Sequence, residues 1–218
     1  MPTGPLSAAP TVIESVLALD PLKIVDLGMG TGKYGFLLRE QRDFSANRLE
    51  RADWTMSIVG VEGWAEYVQA HQRSVYTDIV VDDVRAWLQS QADVSFDVAL
   101  ALDIVEHFRP RDAAHMIGEA LRVARHVVIT TPRAFFKQSD HENPLEQHLS
   151  WWPEAALRKV AKYHSTQIVV SHDPLNVVAM LGVAPRLITG GSFKRTVRTH
   201  LIPDGVYWRL RGRTGPRI

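Results

Sequence analysis

Cysteine is absent from all 218 residues. That excludes disulfides, thiolate metal sites, cysteine nucleophiles and cysteine-held iron–sulfur clusters, and it suits a reducing compartment. Long apolar runs are missing too. Val98 to Leu102 and Val177 to Leu181 are among the longest, and both are strand-sized, far short of the roughly 18 residues of a spanning helix. Excess charge of one sign is lacking: 25 Lys and Arg against 24 Asp and Glu leave a formal net charge of +1, so the chain as a whole is no general polyanion binder. The opening MPTGPLSAAP has neither the basic region nor the long apolar core of a signal peptide. These absences predict a cytoplasmic chain with no membrane partner. What is present is an ordinary globular balance, 45% apolar and 22% charged, at a length that suits one domain with an appendage and buries a core without staples.

Strand and helix signals alternate. A short helix is expected over Thr11 to Leu19 with Thr11 as its cap, then a strand over Lys23 to Leu27 running into GMGTG, then a helix over Tyr34 to Arg42. The polar stretch 43–53 reads as an insertion loop. Further strands are expected over Met56 to Val61, Ile79 to Val81, Phe96 to Leu102 and Val127 to Thr130. Helices are expected over Trp64 to Arg73, Val84 to Gln91, Arg111 to Ala124 and Pro153 to Tyr163. Ile168 to Val170 and Val177 to Leu181 flank DPLN, which suits a turn and an antiparallel pair. The alternation predicts an α/β fold: a Rossmann-like three-layer sandwich whose mostly parallel seven-stranded sheet ends in an antiparallel hairpin. Residues 1–182 form the expected domain. Residues 183–218 form an extension whose tail from Phe193 holds Lys194, Arg195, Arg198, Arg209, Arg211, Arg213 and Arg217 against Asp204 alone. A solvated surface segment is its plainest reading, with an anion patch or an oligomer interface as alternatives.

The segment Asp26-Leu27-Gly28-Met29-Gly30-Thr31-Gly32 carries the chemistry. A dinucleotide fingerprint would need G-x-G-x-x-G, and here the third glycine comes one residue early. Asp26 stands directly before the glycines, where a carboxylate would repel a diphosphate and attract an ammonium or a sulfonium. The segment resembles motif I of the class I S-adenosylmethionine-dependent methyltransferases. Four more segments follow in that family's order: Glu62 in VGVEGW, Asp83-Val84 after the third strand, Phe96 to Phe108, and Val127 to Pro132. The fourth-strand segment, FDVALALDIVEHF, resembles the ubiquinone-biosynthesis-like branch. Asn143, Glu146, His148 and Trp151 resemble a loop common in that branch. The spacing from Gly30 to Glu62 is longer than usual, which 43–53 absorbs.

The resemblance implies a methyl transferase with S-adenosyl-L-methionine as cofactor. It implies that Asp26, Gly28, Met29, Gly30 and Gly32 face the methionine end. Glu62 and Gly63 would then meet the ribose, and Asp83 and Val84 the adenine. Asp103 and Ile104 complete the set, and His107 and His148 are the candidates for a general base. Asp103, Glu106 and His107 fall at i, i+3 and i+4, so a helix after the fourth strand would put all three on one face. Related enzymes hold a divalent metal on such a cluster; here no metal ligand is assigned and a metal stays open. Loop 133–150, with His141, Asn143, Glu146, Gln147 and His148, is expected to form the acceptor side. Thr130-Thr131-Pro132 is not the Asn-Pro-Pro-aromatic of nucleobase amino-methylation, and without cysteine the pyrimidine-C5 route is closed. The expected acceptor is therefore a small molecule, oxygen favoured over nitrogen, in a biosynthetic pathway; nucleic acid is not expected, and a homodimer stays open. The alternatives are a non-catalytic cofactor-binding scaffold and an RNA-terminal methyltransferase.

Overall fold

A computed structural model of the chain describes residues 4–138 and 142–182. They all fall in the first of two units, Met1–Val183; the basic extension at 183–218 and His141 lie outside the described residues. Seven strands form one sheet in the order β3-β2-β1-β4-β5-β7-β6. They are β1 (Lys23–Leu27), β2 (Ser57–Glu62), β3 (Asp78–Val81), β4 (Phe96–Leu102), β5 (Ala124–Pro132), β6 (Ile168–His172) and β7 (Asn176–Leu181). The first five pair in parallel, and β7 runs antiparallel to both β5 and β6. The expected sandwich with its terminal hairpin is thus the observed fold.

The helices are α1 (Ala9–Ala18), α2 (Lys33–Arg42), α3 (Ala70–Arg73), α4 (Val84–Ser90), α5 (Pro110–Val123) and α6 (Glu154–Tyr163). Side chains alternate across a strand. One face of the sheet, through Val25, Leu27, Ala99, Ala101, Val127 and Ile129, shares a continuous core with α4, α5 and α6. The alternate positions Ile24, Ile58, Val98, Leu100 and Val128 are buried as well, on the face where α1 and α2 pack together. Burial on both faces explains why β4 reads as an unbroken apolar run from Val98 to Leu102. No helix among the described residues is long and apolar enough to cross a membrane.

Three local expectations fail for identifiable reasons. The first helix starts earlier than Thr11: Pro10 lies in its first turn, where a fixed φ and a missing N–H suit a helix start. The expected helix over 64–73 is broken into a 3-10 turn at Ala65–Tyr67 and the single turn of α3. Gln69 caps that turn reciprocally with Gln72, which restarts the helix after an extended Val68. The stretch 43–53 is polar but not loose. It holds two 3-10 turns, Phe44–Ala46 and Arg51–Asp53, organised around Asp43, whose side chain is fully buried. Asp43 pairs with Arg39 and Arg48 and accepts from the Thr55 amide and hydroxyl at 2.9 and 2.8 Å. Arg39, also fully buried, donates to the Met56 carbonyl at 2.6 Å and lies 3.8 Å from the centre of the Trp54 ring.

Removing one partner of a buried pair leaves the other charge uncompensated, so Arg39→Ala should cost about 3–5 kcal/mol. Arg48, at 30% side-chain exposure, should cost under about 1 kcal/mol when truncated. Chemical denaturation of the two variants checks the contrast, and equal losses would contradict it.

Candidate functional site

Strand order reverses between β1 and β4: the chain moves outward through β2 and β3, then returns to lay β4 and β5 on the other side of β1. Open α/β sheets bind ligands outside the carboxyl ends of strands at such a switch point. A cavity lies there, lined by residues from the ends of β1, β2, β3 and β4. Asp26, near the end of β1, is 2% exposed. The Tyr76 hydroxyl donates to its Oδ2 at 2.6 Å. Burial pushes the Asp26 carboxyl up from 3.8 to about 6, opposed by the bond from Tyr76 and reinforced by Glu62.

The turn after β1 needs glycine. Gly28, Gly30 and Gly32 have φ of +69°, +51° and +76°, a region that side chains avoid. At Gly28 a Cβ would also sit 2.5 Å from Ile104 Cδ1. Glu62 meets this turn from β2. Its Oε2 accepts from the Gly30 amide at 3.0 Å and its Oε1 from the Trp64 amide at 2.9 Å. Burial nevertheless keeps its carboxyl above the usual range. Gln72 braces the turn from α3, donating to the Gly30 carbonyl at 2.6 Å. Asp83 caps α4 by accepting from the Arg85 amide at 2.8 Å. The Arg85 guanidinium pairs with the same carboxylate and holds its pKa low.

The opposite wall begins at Asp103. Its φ is +52°, tolerable for an aspartate and fixed by two bonds to β5. The Asp103 amide donates to the Thr130 carbonyl at 3.0 Å, and the Thr130 hydroxyl donates to Oδ1 at 2.9 Å. The N-terminal segment crosses here. A Cβ at Gly4 would meet Asp103 Oδ2 at 1.8 Å, and Lys33 Nζ donates to the Gly4 carbonyl at 2.6 Å. Across the cavity, Asn143 caps a 3-10 turn at Pro144–Glu146. This turn carries Leu145 to Gly63, where an added Cβ would lie 3.0 Å from Leu145 Cδ1.

The shared helical face expected for Asp103, Glu106 and His107 does not form. The positive φ of Asp103 and a non-helical Ile104 leave only a 3-10 turn at Val105–His107. Asp103 turns toward β5, while Glu106 and His107 meet His148. One ligand atom from each of Glu106, His107 and His148 lies within 4.8 Å of the others. Glu106 is 2% exposed, and its Oε2 has no hydrogen-bond partner among the described residues. Burial, then the charge of Asp103, pushes its carboxyl well above the usual range. The two imidazole rings meet edge-on at 4.9 Å. His148 Nδ1 lies 3.0 Å from the Phe136 carbonyl and His107 Nδ1 lies 3.3 Å from the Gln147 carbonyl. The Leu149 and Ser150 amides both donate to the Glu106 carbonyl, at 2.8 and 3.1 Å, tying the later loop to this turn.

One cavity therefore collects Asp26, Gly28, Met29, Gly30, Glu62, Gly63, Asp83, Val84, Asp103, Ile104 and His107, with Asn143 and Glu146 from the loop. Two expected residues stand outside it. Gly32 starts α2 and packs toward Gln72 and Tyr76. His148 sits behind His107, against Phe136, and not on the cavity wall. Sequence reasoning missed Lys33, Tyr34 and Tyr67 on the wall and Gln72 and Tyr76 beneath it. For Lys33 and Tyr34 a signal existed, because they directly follow the third glycine; for Tyr76, fifty residues from its partner Asp26, none did.

The profile of the family described as "Methionine biosynthesis protein MetW" matches residues 11–140, more than half of the chain. That match does not name the ubiquinone-biosynthesis-like branch that the fourth-strand segment resembles. No curated protein matches the chain. Among solved structures it resembles a SAM-dependent methyltransferase from Archaeoglobus fulgidus, at 12% identity, 79% of this chain, 93% of the other and a TM-score of 0.58. It also resembles 1,6-didemethyltoxoflavin-N1-methyltransferase of Burkholderia thailandensis, solved with that substrate and S-adenosylhomocysteine, at 15% identity, covering 81% and 78%, with a TM-score of 0.58. Magnesium protoporphyrin IX methyltransferase of Synechocystis, solved with bound SAM, follows at 15% identity, 80% and 79%, and 0.52. At these identities the likeness is one of fold: the Rossmann-like fold of these methyltransferases.

Burial, then the neighbouring His148, depresses the His107 pKa from 6.5 to about 4. The ring is therefore neutral at pH 7. A depressed imidazole pKa contributes stability that is present above the unfolded value of 6.5 and is lost as pH falls toward 4. Proton NMR should show His107 titrating near pH 4, and a midpoint above 6 would refute the buried environment described.

Proposed function

The chain belongs to the family described as methionine biosynthesis protein MetW, and on that footing we propose that it is an S-adenosylmethionine-dependent methyltransferase. Its acceptor would be a small molecule, methylated on oxygen in preference to nitrogen, in a biosynthetic pathway. Residues 1–182 would be the catalytic domain and 183–218 a basic extension. One observation carries the reading. Asp26, a carboxylate buried beside a glycine turn, is hydrogen-bonded to a tyrosine and forms no ion pair among the described residues. A buried carboxylate is costly unless a cation meets it, and a sulfonium ligand with an ammonium supplies one.

Bound S-adenosylmethionine would supply an activated methyl group, its sulfur–carbon bond breaking as the bond to the acceptor forms. The chain's own residues then do three things. Asp26 and the turn at Gly28, Met29 and Gly30 bind the methionine end, with Asp103 and Ile104 opposite. Glu62 takes the ribose hydroxyls: a carboxylate has about four acceptor sites, and the Gly30 and Trp64 amides engage two. Asp83 and Val84 read the adenine. Neutral His107 lines the cavity and accepts the proton that a hydroxyl acceptor loses, while His148 holds its ring from behind. Positioning supplies most of the acceleration, because the sulfonium is already activated. Against a non-catalytic scaffold stands a cavity in which Asp26, Glu62, Asp83 and His107 all meet.

A second reading rests on the orphaned Glu106 Oε2. Two imidazoles and a carboxylate suit a divalent cation, and such an ion on Glu106, His107 and His148 would lower the pKa of a hydroxyl acceptor. Calorimetric titration with Mn²⁺ tests this directly: saturable binding that Glu106→Gln abolishes supports it, and an absence of heat removes it. The RNA-terminal alternative stands or falls with that ion.

S-adenosylhomocysteine should raise the melting temperature of the protein by mass action. Glu62→Ala should weaken its binding by about 1–3 kcal/mol, the cost of unpaired buried hydroxyls. A folded wild-type protein unaffected by millimolar ligand would overturn the assignment.

Binding of the cationic cofactor requires ionised Asp26. Its carboxyl titrates at about 6 in the free protein, so affinity for S-adenosylmethionine should be level above pH 7. Below 6 it should fall about tenfold per pH unit. Calorimetry from pH 5 to pH 8 reads the profile, and Asp26→Asn should flatten it.

A further inference from the structure

The first turn of α2 borders the cavity at the end where Asp26 and Asp103 stand, and it brings two groups of the opposite character. Lys33 and Tyr34 both line the cavity. Tyr34 is buried, at 6% exposure, and its hydroxyl has no hydrogen-bond partner among the described residues. A buried hydroxyl without a partner is uncommon and calls for an explanation. Lys33 Nζ lies 4.8 Å from the centre of the Tyr34 ring and donates to the Gly4 carbonyl at 2.6 Å. An ammonium has three donors, so that bond leaves two. Asp26 and Asp103 act electrostatically on both Lys33 and Tyr34. One end of the cavity thus holds two carboxylates, one ammonium and one free hydroxyl donor. The positive end of α2, a ten-residue helix, adds to the potential beside Lys33.

That set matches an α-amino acid. Its ammonium needs acceptors and its carboxylate needs donors, two bonds apart. Asp26 and Asp103 can serve the first; Lys33 has the charge and Tyr34 a free donor for the second. We propose that Lys33 and Tyr34 bind the α-carboxylate of the cofactor's amino-acid end, so that the site selects the zwitterionic sulfonium over its decarboxylated form. The inference rests on the cofactor reading above and extends it to a pair of residues and a choice of donor. Tyr34 forms a neutral bond to the carboxylate and Lys33 a charge-assisted one, the stronger of the two.

Two ligands separate this from general disturbance of the cavity. S-adenosylhomocysteine carries the amino-acid end, whereas 5′-methylthioadenosine keeps the adenosine and thioether and lacks it. Calorimetry should show Lys33→Met weakening S-adenosylhomocysteine by about tenfold or more. Tyr34→Phe, which removes one oxygen from an otherwise intact ring, should weaken it less. Neither substitution should change 5′-methylthioadenosine binding by more than about twofold, within the error of additive effects. Lys33→Arg should retain most of the preference. Decarboxylated S-adenosylmethionine should bind wild type more weakly than S-adenosylmethionine, and Lys33→Met should shrink that gap. Equal losses for both thioether ligands, or no loss for either, would overturn the carboxylate assignment while leaving the cofactor in place. Wild-type protein that binds neither thioether ligand would overturn the cofactor reading and this inference together. Tyr34→Phe removes only an unpartnered hydroxyl and should fold as wild type does, which keeps the test open should Lys33→Met prove unstable.

Discussion

Asp26 is the point at which the fold and the site depend on each other. It sits on the central strand, flanked in register by Gly60 on β2 and Leu100 on β4, and its carboxylate is buried at the foot of the cavity, at 2% exposure. A folded chain can carry that charge only if the surroundings meet it. Tyr76 reaches it from the segment before β3, the glycine turn brings Lys33 over the same end of the cavity, and the pKa still rises. Tyr76 and Lys33 thus offset only part of the cost of burying this charge. A buried charge of this kind costs a protein stability.

The backbone around Asp26 is closely packed. Gly28 lies against Ile104, Gly35 and Gly60 against Tyr76, and Gly60 also against Met29. A Cβ at any of these positions would collide. Gln72 ties the turn to Tyr67 and Gly30, and Glu62 ties it to β2. The rigidity is local and polar, built on side-chain-to-backbone bonds, while the sheet behind it is apolar and packed on both faces. Preorganised donors and acceptors on a stiff frame can act on a charged ligand without paying for their own ordering.

On the other side of the cavity the loop after β5 is held by its base. Glu106 offers its main-chain carbonyl to Leu149 and Ser150, and the Ser150 hydroxyl donates to the Phe108 carbonyl while accepting from the Trp152 indole. The short turn that carries His107 thus sets where Asn143, Leu145 and Glu146 stand over the cavity. The same turn supplies the buried Glu106 carboxylate. The loop side and the glycine-turn side of the cavity are joined through residues 103–108, which makes this the segment where one substitution would reach both.

Much of this was legible in the chain itself. Periodicity, apolar runs and turn residues determined the strands, their alternation with helices and the terminal hairpin, because each depends on residues close in sequence. The glycines and the acids at Asp26, Glu62 and Asp83 marked one wall of the cavity, because they lie at or just after strand ends that a parallel sheet must bring to one edge. Only the tertiary structure decided the rest. Tyr76 on Asp26 is a bond across fifty positions, which no periodicity records; Arg39 and Asp43 are an i, i+4 pair, a spacing that usually marks an exposed helix face, and only the fold buries it. The positive φ at Asp103 separated it from Glu106 and His107 despite helical spacing, because its bonds to Thr130 on the neighbouring strand outweighed local preference. His148 stands behind His107 for a similar reason: its amide bonds to the Gln138 carbonyl, and the next two amides, of Leu149 and Ser150, bond to the Glu106 carbonyl, contacts of which sequence spacing carries no trace.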